Sequence, residues 1–550
     1  MPTAIIYRSM ILETELDGLL YSLDTDEQEA TVKKCIDKKC AEISIPASFF
    51  HEGVVYSVTN IYSNSFKHCC NLISINIPAS VKRIGDNAFI YCTRLISIIF
   101  SEGLIDIGDY AFSFCKNLTS INIPTSVKSI GSWAFYQCEK LTDVILSKGV
   151  TNIGKSAFSW CGSLASINIP TSVVNIGEGA FYCCSSLTAI NIPEGVTSIG
   201  ERAFSRCNSL TAINIPKGVT SIGSYAFEDC NSLTAIIIPE NSQLMSIGKE
   251  AFSGCSSLTT ITIPKRMTSF GDRVFYGCSC LTSITIPENV TRIGEAAFSN
   301  CNLKTITVVD RNTIYDSRNN CNAIIKTQNN TLIAGCSTTI IPPHVTSIGR
   351  WAFYNCTNLT NINIPKGVKS IEQYAFHDCS NLTTITIPES LTNIEQHAFH
   401  GCKNLVNIDI PKDVVKIGKW AFFGCSNFTN INIPKGITSI EECTFAHCSS
   451  LTHIIIPKNV KSIEQGAFGE SGITFLTLLG NTVIDFRVFY RCLKLTDVYC
   501  YSEEVPSANH YAFDNNTKLA FATLHAPQKA LEIYTKNYPW SEFGTIVAIK

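Results

Sequence analysis

A phrase of 23 residues recurs through most of this 550-residue chain, and its period restricts the fold more than any other feature. One copy reads SVKSIGSWAFYQCEKLTDV from Ser126, another GVTSIGERAFSRCNSLTAINIP from Gly195. The shared form is V-x-x-I-G-x-x-A-F-x-x-C-x-x-L-T-x-I-x-I-P. Phenylalanine marks it at Phe66, Phe89, Phe112, Phe135, Phe158, Phe181, Phe204 and Phe227, each 23 residues from the last. A 25-residue step leads to Phe252, Phe275 and Phe298. A 55-residue interval follows, then Phe353, Phe376, Phe399, Phe422, Phe445 and Phe468, with Phe489 and Phe513 more loosely placed. A unit this short buries its apolar face only against the copies before and after it, so the period predicts a solenoid.

Composition agrees with one continuous core. Hydrophobic residues make up 45% of the chain and charged residues 16%, below the roughly 25% usual for soluble domains. With a net charge of −2, nothing recommends nucleic acid or an anionic membrane as partner. No apolar run reaches the roughly 18 residues of a membrane span. Of the 26 cysteines, seventeen fall three residues after a landmark Phe, from Cys69 and Cys92 to Cys448 and Cys492. A small apolar side chain repeated once per turn reads as a buried ladder of reduced thiols. No paired C-x-x-C motifs occur, so neither a zinc site nor any other metal or cofactor is expected.

Within a copy, L-T-x-I-x-I-P reads as a strand. In LTSINIP, Leu118, Ile121 and Ile123 point inward, Ser120 and Asn122 outward, and Pro124 ends the pairing. V-x-x-I is a second short extended piece with Val127 and Ile130 inward. Gly131 is read as the residue that permits the turn, and A-F-x-x-C closes it. Residues 1–59 lack the full repeat. DGLLYSL, EATVKKC, AEISIP and VVYSVTNI alternate as short strands of an N-terminal β cap, which a first turn without a neighbour needs. The start, MPTAIIYRSMIL, lacks the positive cluster and unbroken apolar run of a signal peptide.

These motifs resemble the BspA-like type of leucine-rich repeat, in the form found in Bacteroidetes. Departures are Ser101 and Ser147 for the proline, Ser471 for the cysteine, and Glu372, Glu395, Glu441 and Glu464 for the glycine. The resemblance implies a leucine-rich repeat solenoid, mostly β with short turns, curved and right-handed, built on parallel sheet and capped at both ends. It also implies a bacterial surface protein that binds host or microbial partners. Repeats are expected over 60–307 and 344–499. A longer repeat at 308–343 carries an inserted hairpin around Gln328–Asn330, and its wording, YDSRNNCNAII, is similar to insertions in Bacteroidetes members. A turn at Gln328–Asn329 sets Cys321 opposite Cys336, close enough to bridge; a turn one residue later does not. Asp316, Arg318, Asn319 and Asn320 read as a local turn or as a recognition patch. Residues 500–550 form a C-terminal cap, with a short helix in PQKALEIYTK and Trp540, Phe543 and Ile546 over the last turn.

Three features bear on function. The outward strand positions, among them Ser120, Asn122, Ser166, Asn168, Asn191, Asn214, Thr260, Thr262, Asn361, Asn363, Asn430 and Asn432, are small, polar and nearly uncharged. Such a face suits binding to a protein or glycan through many neutral hydrogen bonds; equally, Ser, Thr and Asn ladders keep a sheet soluble. A broken aromatic line lies two residues before the landmark at Tyr110, Trp133, Tyr225, Trp351, Tyr374 and Trp420, where exposed rings suit sugar stacking or interface anchoring. His377 and His400 hold equivalent places in neighbouring turns and read as a solvated pair. No catalytic constellation stands out. The expected function is a non-enzymatic, adhesin-like binding protein, monomeric, at the cell surface or secreted. The alternative is a cytoplasmic protein-interaction scaffold.

Overall fold

The computed structural model describes residues 12–514 and 519–549; residues 1–11, where the sequence lacks the features of a signal peptide, lie outside them. The described residues fall into two units. One runs to Cys280 and takes in Arg292–Ala297, and the other comprises Leu281–Thr291 and the chain from Phe298. Each is a β-solenoid of stacked turns.

In the first unit, Leu12–Leu16, Leu19–Asp24 and Glu29–Cys35 form an antiparallel meander whose third strand pairs in parallel with Val54–Ile61. Each later turn adds a two-residue strand to this sheet: Arg83–Ile84, Asp106–Ile107, Ser129–Ile130, Asn152–Ile153 and Asn175–Ile176. A second parallel sheet is built from Glu42–Ser44, Ser74–Ile77, Ser97–Phe100, Ser120–Ile123 and Asp143–Leu146. Its register repeats the sequence period, with Ser120 between Ser97 and Asp143. The period-2 pattern decides which face is inside: Ile121 and Ile123 are buried while Ser120 and Asn122 are exposed.

The landmark phenylalanines form the seam of the core. Phe135, Phe158 and Phe181 are fully buried, and neighbouring rings stand 5.4 and 5.6 Å apart, nearly parallel. The cysteines close the same seam by hydrogen bonding. The Sγ of Cys138, Cys161 and Cys184 donates to the carbonyls of Phe112, Phe135 and Phe158 of the preceding turn, at 3.3, 3.3 and 3.2 Å. A thiol suits this place because it is small and apolar yet offers one weak donor to a buried carbonyl. Burial pushes these thiols up, Cys230 and Cys448 to about 12, so the ladder is unreactive in the folded chain.

One local reading of the sequence is corrected here. Gly131 does not adopt positive φ. A Cβ there would lie 2.5 Å from the carbonyl carbon of Gly108, so the residue serves close approach of successive turns. The left-handed residues are instead side-chain-bearing ones on either side of the landmark, such as Trp133 (φ 54°) and Gln137 (φ 56°). That conformation is held by pairing with the next turn: Trp133 N–H donates to Lys155 O at 2.7 Å and Gln137 N–H to Ser159 O at 2.9 Å.

In the second unit the hairpin Ala323–Lys326 with Thr331–Gly335 feeds a sheet through Ser347–Ile348, Ser370–Ile371, Asn393–Ile394 and Lys416–Ile417. A bulge between Ile324 and Ile325 moves the pairing to Ala323 with Gly335, so Cys321 does not face Cys336. The two thiols are free and donate to the carbonyls of Ala323 and Asn322. Non-reducing peptide mapping of the purified protein is expected to recover both as free thiols; a 321–336 disulfide peptide would contradict this register. The C-terminal end is more regular than its sequence suggests. Beyond Asp497–Cys500 the sheet continues in parallel through Thr523–Ala526 and Thr545–Ala548. Helix Leu531–Lys536 lies between them. Trp540 and Phe543 are buried, with Ile546 packed against them, and the Trp540 indole donates to Pro506 O at 3.0 Å.

Candidate binding surface

The outward strand positions form a repeated polar surface in each unit. Ser120, Asn122, Ser166, Asn168, Asn191, Asn214, Thr260, Thr262, Asn361, Asn363, Asn430 and Asn432 are all exposed. Next to them runs a threonine ladder whose hydroxyls are used inside the sheet: Thr188, Thr211 and Thr234 each donate to a carbonyl one turn back, at 3.1, 3.3 and 3.0 Å. Thr therefore serves the stack, while the neighbouring Asn amides are turned to solvent. The face is not uniformly polar. Ile99, Ile145 and Ile237 occupy the same column as Asn122 and are 62, 52 and 54% exposed, and Ile455 is the equivalent position in the second unit, 57% exposed. Alternation alone places them there, but a reading confined to the polar turns passes over them. Apolar knobs among neutral amides make this an amphipathic surface, the composition of a protein interface more than of a solvated sheet.

The aromatic line behaves differently from the expectation of free, exposed rings. Tyr110, Trp133, Tyr225, Trp351, Tyr374 and Trp420 are all half-buried because they stack on one another or beneath cations. Tyr110 and Trp133 stand 4.9 Å apart, and Lys155 lies over Trp133. At the apparent gap, Arg202 covers the Tyr225 ring at 4.3 Å. In the second unit Trp351, Tyr374, His397 and Trp420 form one stack, with successive centroids 4.3, 4.7 and 5.9 Å apart. His397 is the link that the aromatic pattern hides.

His397 also changes the reading of the histidine pair. His377 and His400 stack at 4.3 Å, and His397 stands beside them at 6.0 and 5.3 Å between centroids. The three are half-buried rather than solvated. Burial, with the neighbouring imidazoles His377 and His397, lowers His400 to about 4, and burial lowers His397 as well. In the insertion, Arg318 Nε donates to both carboxylate oxygens of Asp316 at 2.9 and 3.0 Å, and Asn319 and Asn320 take positive φ. That is a self-contained turn.

A family model described as "BspA type Leucine rich repeat region" matches the chain in six overlapping copies, over residues 59–179, 105–219, 151–243, 203–324, 329–426 and 415–537. The chain belongs to this family. The BspA-type chain is similar to a solved leucine-rich repeat protein from Bacteroides ovatus, with 26% identity over 82% of this chain and 94% of that one and a TM-score of 0.46. It is similar to the pneumococcal vaccine antigen PcpA at 16% identity, over 98% of this chain and 100% of that one, TM-score 0.34. A leucine-rich cell surface protein from Faecalibacterium prausnitzii gives 23% identity over 98% and 96%, TM-score 0.26. No curated protein matches the chain.

In this BspA-type chain no described helix is long and apolar enough to cross a membrane. The depressions described on its surface are open. One of about 380 Å³ is lined by Arg350, Ser370, Glu372, Gln373, Asn393 and Glu395, where Lys416 already pairs with Glu395 at 2.7 Å. Beside it Ser347 Oγ donates to Glu372 Oε1 at 2.7 Å and is hydrogen-bonded to Ser370 Oγ at 2.9 Å.

Proposed function

We propose that this protein is a non-enzymatic, adhesin-like binding protein that recognises a protein or glycan partner through the outward face of its strands. The observation that carries the reading is the amphipathic column in which exposed Ile99, Ile145 and Ile237 stand among Asn122, Asn168, Asn191 and Asn214. Each neutral hydrogen bond there contributes about 0.5–1.5 kcal/mol, so affinity is spread over several turns. The family's repeated, ligand-presenting architecture supports an interaction role, and display at the cell surface accords with such a role. Binding of the labelled protein to a glycan array and to immobilised extracellular proteins tests the reading. Saturable binding to at least one class is expected, and its absence from both would overturn the reading.

A second reading rests on the exposed free thiols Cys70 and Cys280. Unpaired surface cysteines accord with a reducing compartment, where the same face would serve an intracellular protein scaffold. Protease shaving of intact cells separates the two, because only a displayed protein is digested.

A further inference from the structure

Two stacked lines of rings run side by side in the second unit. One, two residues before each landmark, passes through Trp351, Tyr374, His397 and Trp420. The other, one residue after it, passes through Tyr354, His377, His400 and Phe423, with centroids 5.0, 4.3 and 4.8 Å apart. Where the lines face each other, three consecutive rings of the sequence pattern are imidazoles. Each of the three offers a ligand atom within 4.8 Å of the other two. Stacking alone does not call for imidazole, since Tyr, Trp or Phe fills the same columns one turn away. Imidazole instead brings buried ring nitrogens. The Nδ1 atoms of His377, His397 and His400 are all buried without a hydrogen-bond partner. Asp378 Oδ2 does come within 3.1 Å of His377 Nδ1, but not in line as a hydrogen bond. A buried polar atom left unsatisfied is destabilising, so three at one point mark a place built for something else.

We propose that His377, His397 and His400 form a binding site for one divalent first-row transition ion of the zinc type. Neutral imidazoles are ligands that suit zinc, copper and nickel and disfavour calcium and magnesium. Zinc–nitrogen bonds of about 2.0–2.1 Å set two nitrogens on one tetrahedral ion roughly 3.4 Å apart, so ligand atoms that already lie within 4.8 Å of one another need to move inward by only about an ångström or two, with the parallel His377 and His400 rings tilting to aim at one ion. Three protein ligands leave a fourth position open to solvent or to a partner's donor. Asp378, with Oδ2 3.1 Å from His377 Nδ1, stands beside the three imidazoles as a neighbouring carboxylate. The rings Tyr354, Tyr374, Trp420 and Phe423 stack on the three imidazoles from the neighbouring turns.

Cobalt(II) titration of the chelator-treated full-length protein tests the site. One equivalent is expected to bind with visible bands of a nitrogen and oxygen ligand set and no thiolate charge-transfer absorption, which separates the site from Cys70 and Cys280. His400→Phe and His397→Tyr carry rings already present one turn away, at Phe423 and Tyr374, so the stacks are kept. Each is expected to weaken cobalt binding by more than the roughly 10–100-fold that loss of an outer-shell partner costs. In the unaltered protein, zinc is expected to protect His397 and His400 from diethylpyrocarbonate, a readout that does not depend on any variant folding. No uptake, uptake with a thiolate spectrum, affinity unchanged in both variants, or histidine labelling unaffected by zinc would each overturn the proposal.

Discussion

Phe158→Ala is expected to open the first unit around the substituted turn, at a cost of about 3–5 kcal/mol. Phe158 is fully buried and stacks on Phe135 at 5.4 Å and on Phe181 at 5.6 Å. Its backbone is fixed from both sides. The N–H donates to Ala180 O at 2.8 Å, and the carbonyl accepts from the Cys184 thiol at 3.2 Å. The walls therefore cannot move in to fill the space, and a cavity remains. Each turn of a stacked array touches only its neighbours, so damage is local and a single unfolding free energy describes it poorly. Hydrogen exchange read by mass spectrometry suits it better. Amides of the turns holding Phe135, Phe158 and Phe181 are expected to exchange roughly a hundredfold faster or more, with distant turns unchanged. Ser120→Ala on the exposed face should shift exchange by less than about 0.5 kcal/mol equivalent. Equal effects from the two substitutions would contradict the seam.

The combined change Asn168→Lys, Asn191→Lys and Asn214→Lys is expected to abolish binding to whichever partner the array identifies, with the fold retained. The three side chains are exposed in consecutive turns, and the Asn191 and Asn214 backbones are directly paired. Lysine there puts three like charges about 4.8 Å apart in the middle of an almost uncharged surface. A neutral partner would have to desolvate them without compensation. The matching control is Ser185→Lys, Asn208→Lys and Asn231→Lys, equally exposed but in the bend after the cysteine. It adds the same charge and is expected to bind as the unaltered protein does. If both triple variants bind normally, the strand face is not the site, and the stacked aromatic lines become the leading surface.

Much of the architecture is visible in the residue pattern because three spacings repeat together. Phe158 and its equivalents mark the seam, Cys161 and its equivalents mark the donor beside it, and Ile121 with Ile123 marks the inward face of a strand. What the pattern hides depends on contacts between turns. Left-handed backbone is signalled in a sequence by Gly or Asn, yet Trp133 and Gln137 adopt it because the next turn accepts their N–H groups. The bulge at Ile324 is a one-residue slip with no signature in CNAIIK, and it separates Cys321 from Cys336. The last two strands, Thr523–Ala526 and Thr545–Ala548, are preceded by Phe-Ala and Phe-Gly rather than the Leu-Thr of the repeat, and only the first is followed by Pro, so they escape its pattern. On the candidate surface the polar column was legible from alternation. His397 was not, because comparison of equivalent positions pairs His377 with His400 alone, and only stacking geometry brings the neighbouring column against them.

Differential alkylation of the native protein tests most directly the claim that most turns are closed by a buried phenylalanine and a thiol hydrogen-bonded to the turn before. Iodoacetamide is applied to the folded protein, a second isotopic label after denaturation, and the 26 cysteines are then read separately by mass spectrometry. Cys70 and Cys280, which are exposed, are expected to react first, and the half-buried Cys40, Cys301, Cys356 and Cys443 slowly. Ladder members such as Cys115, Cys138, Cys161, Cys207 and Cys425 should take only the second label, since burial both shields them and pushes their thiols far above neutral pH. First-label modification of these ladder cysteines at the rate of Cys70, or their recovery as disulfides, would contradict the account.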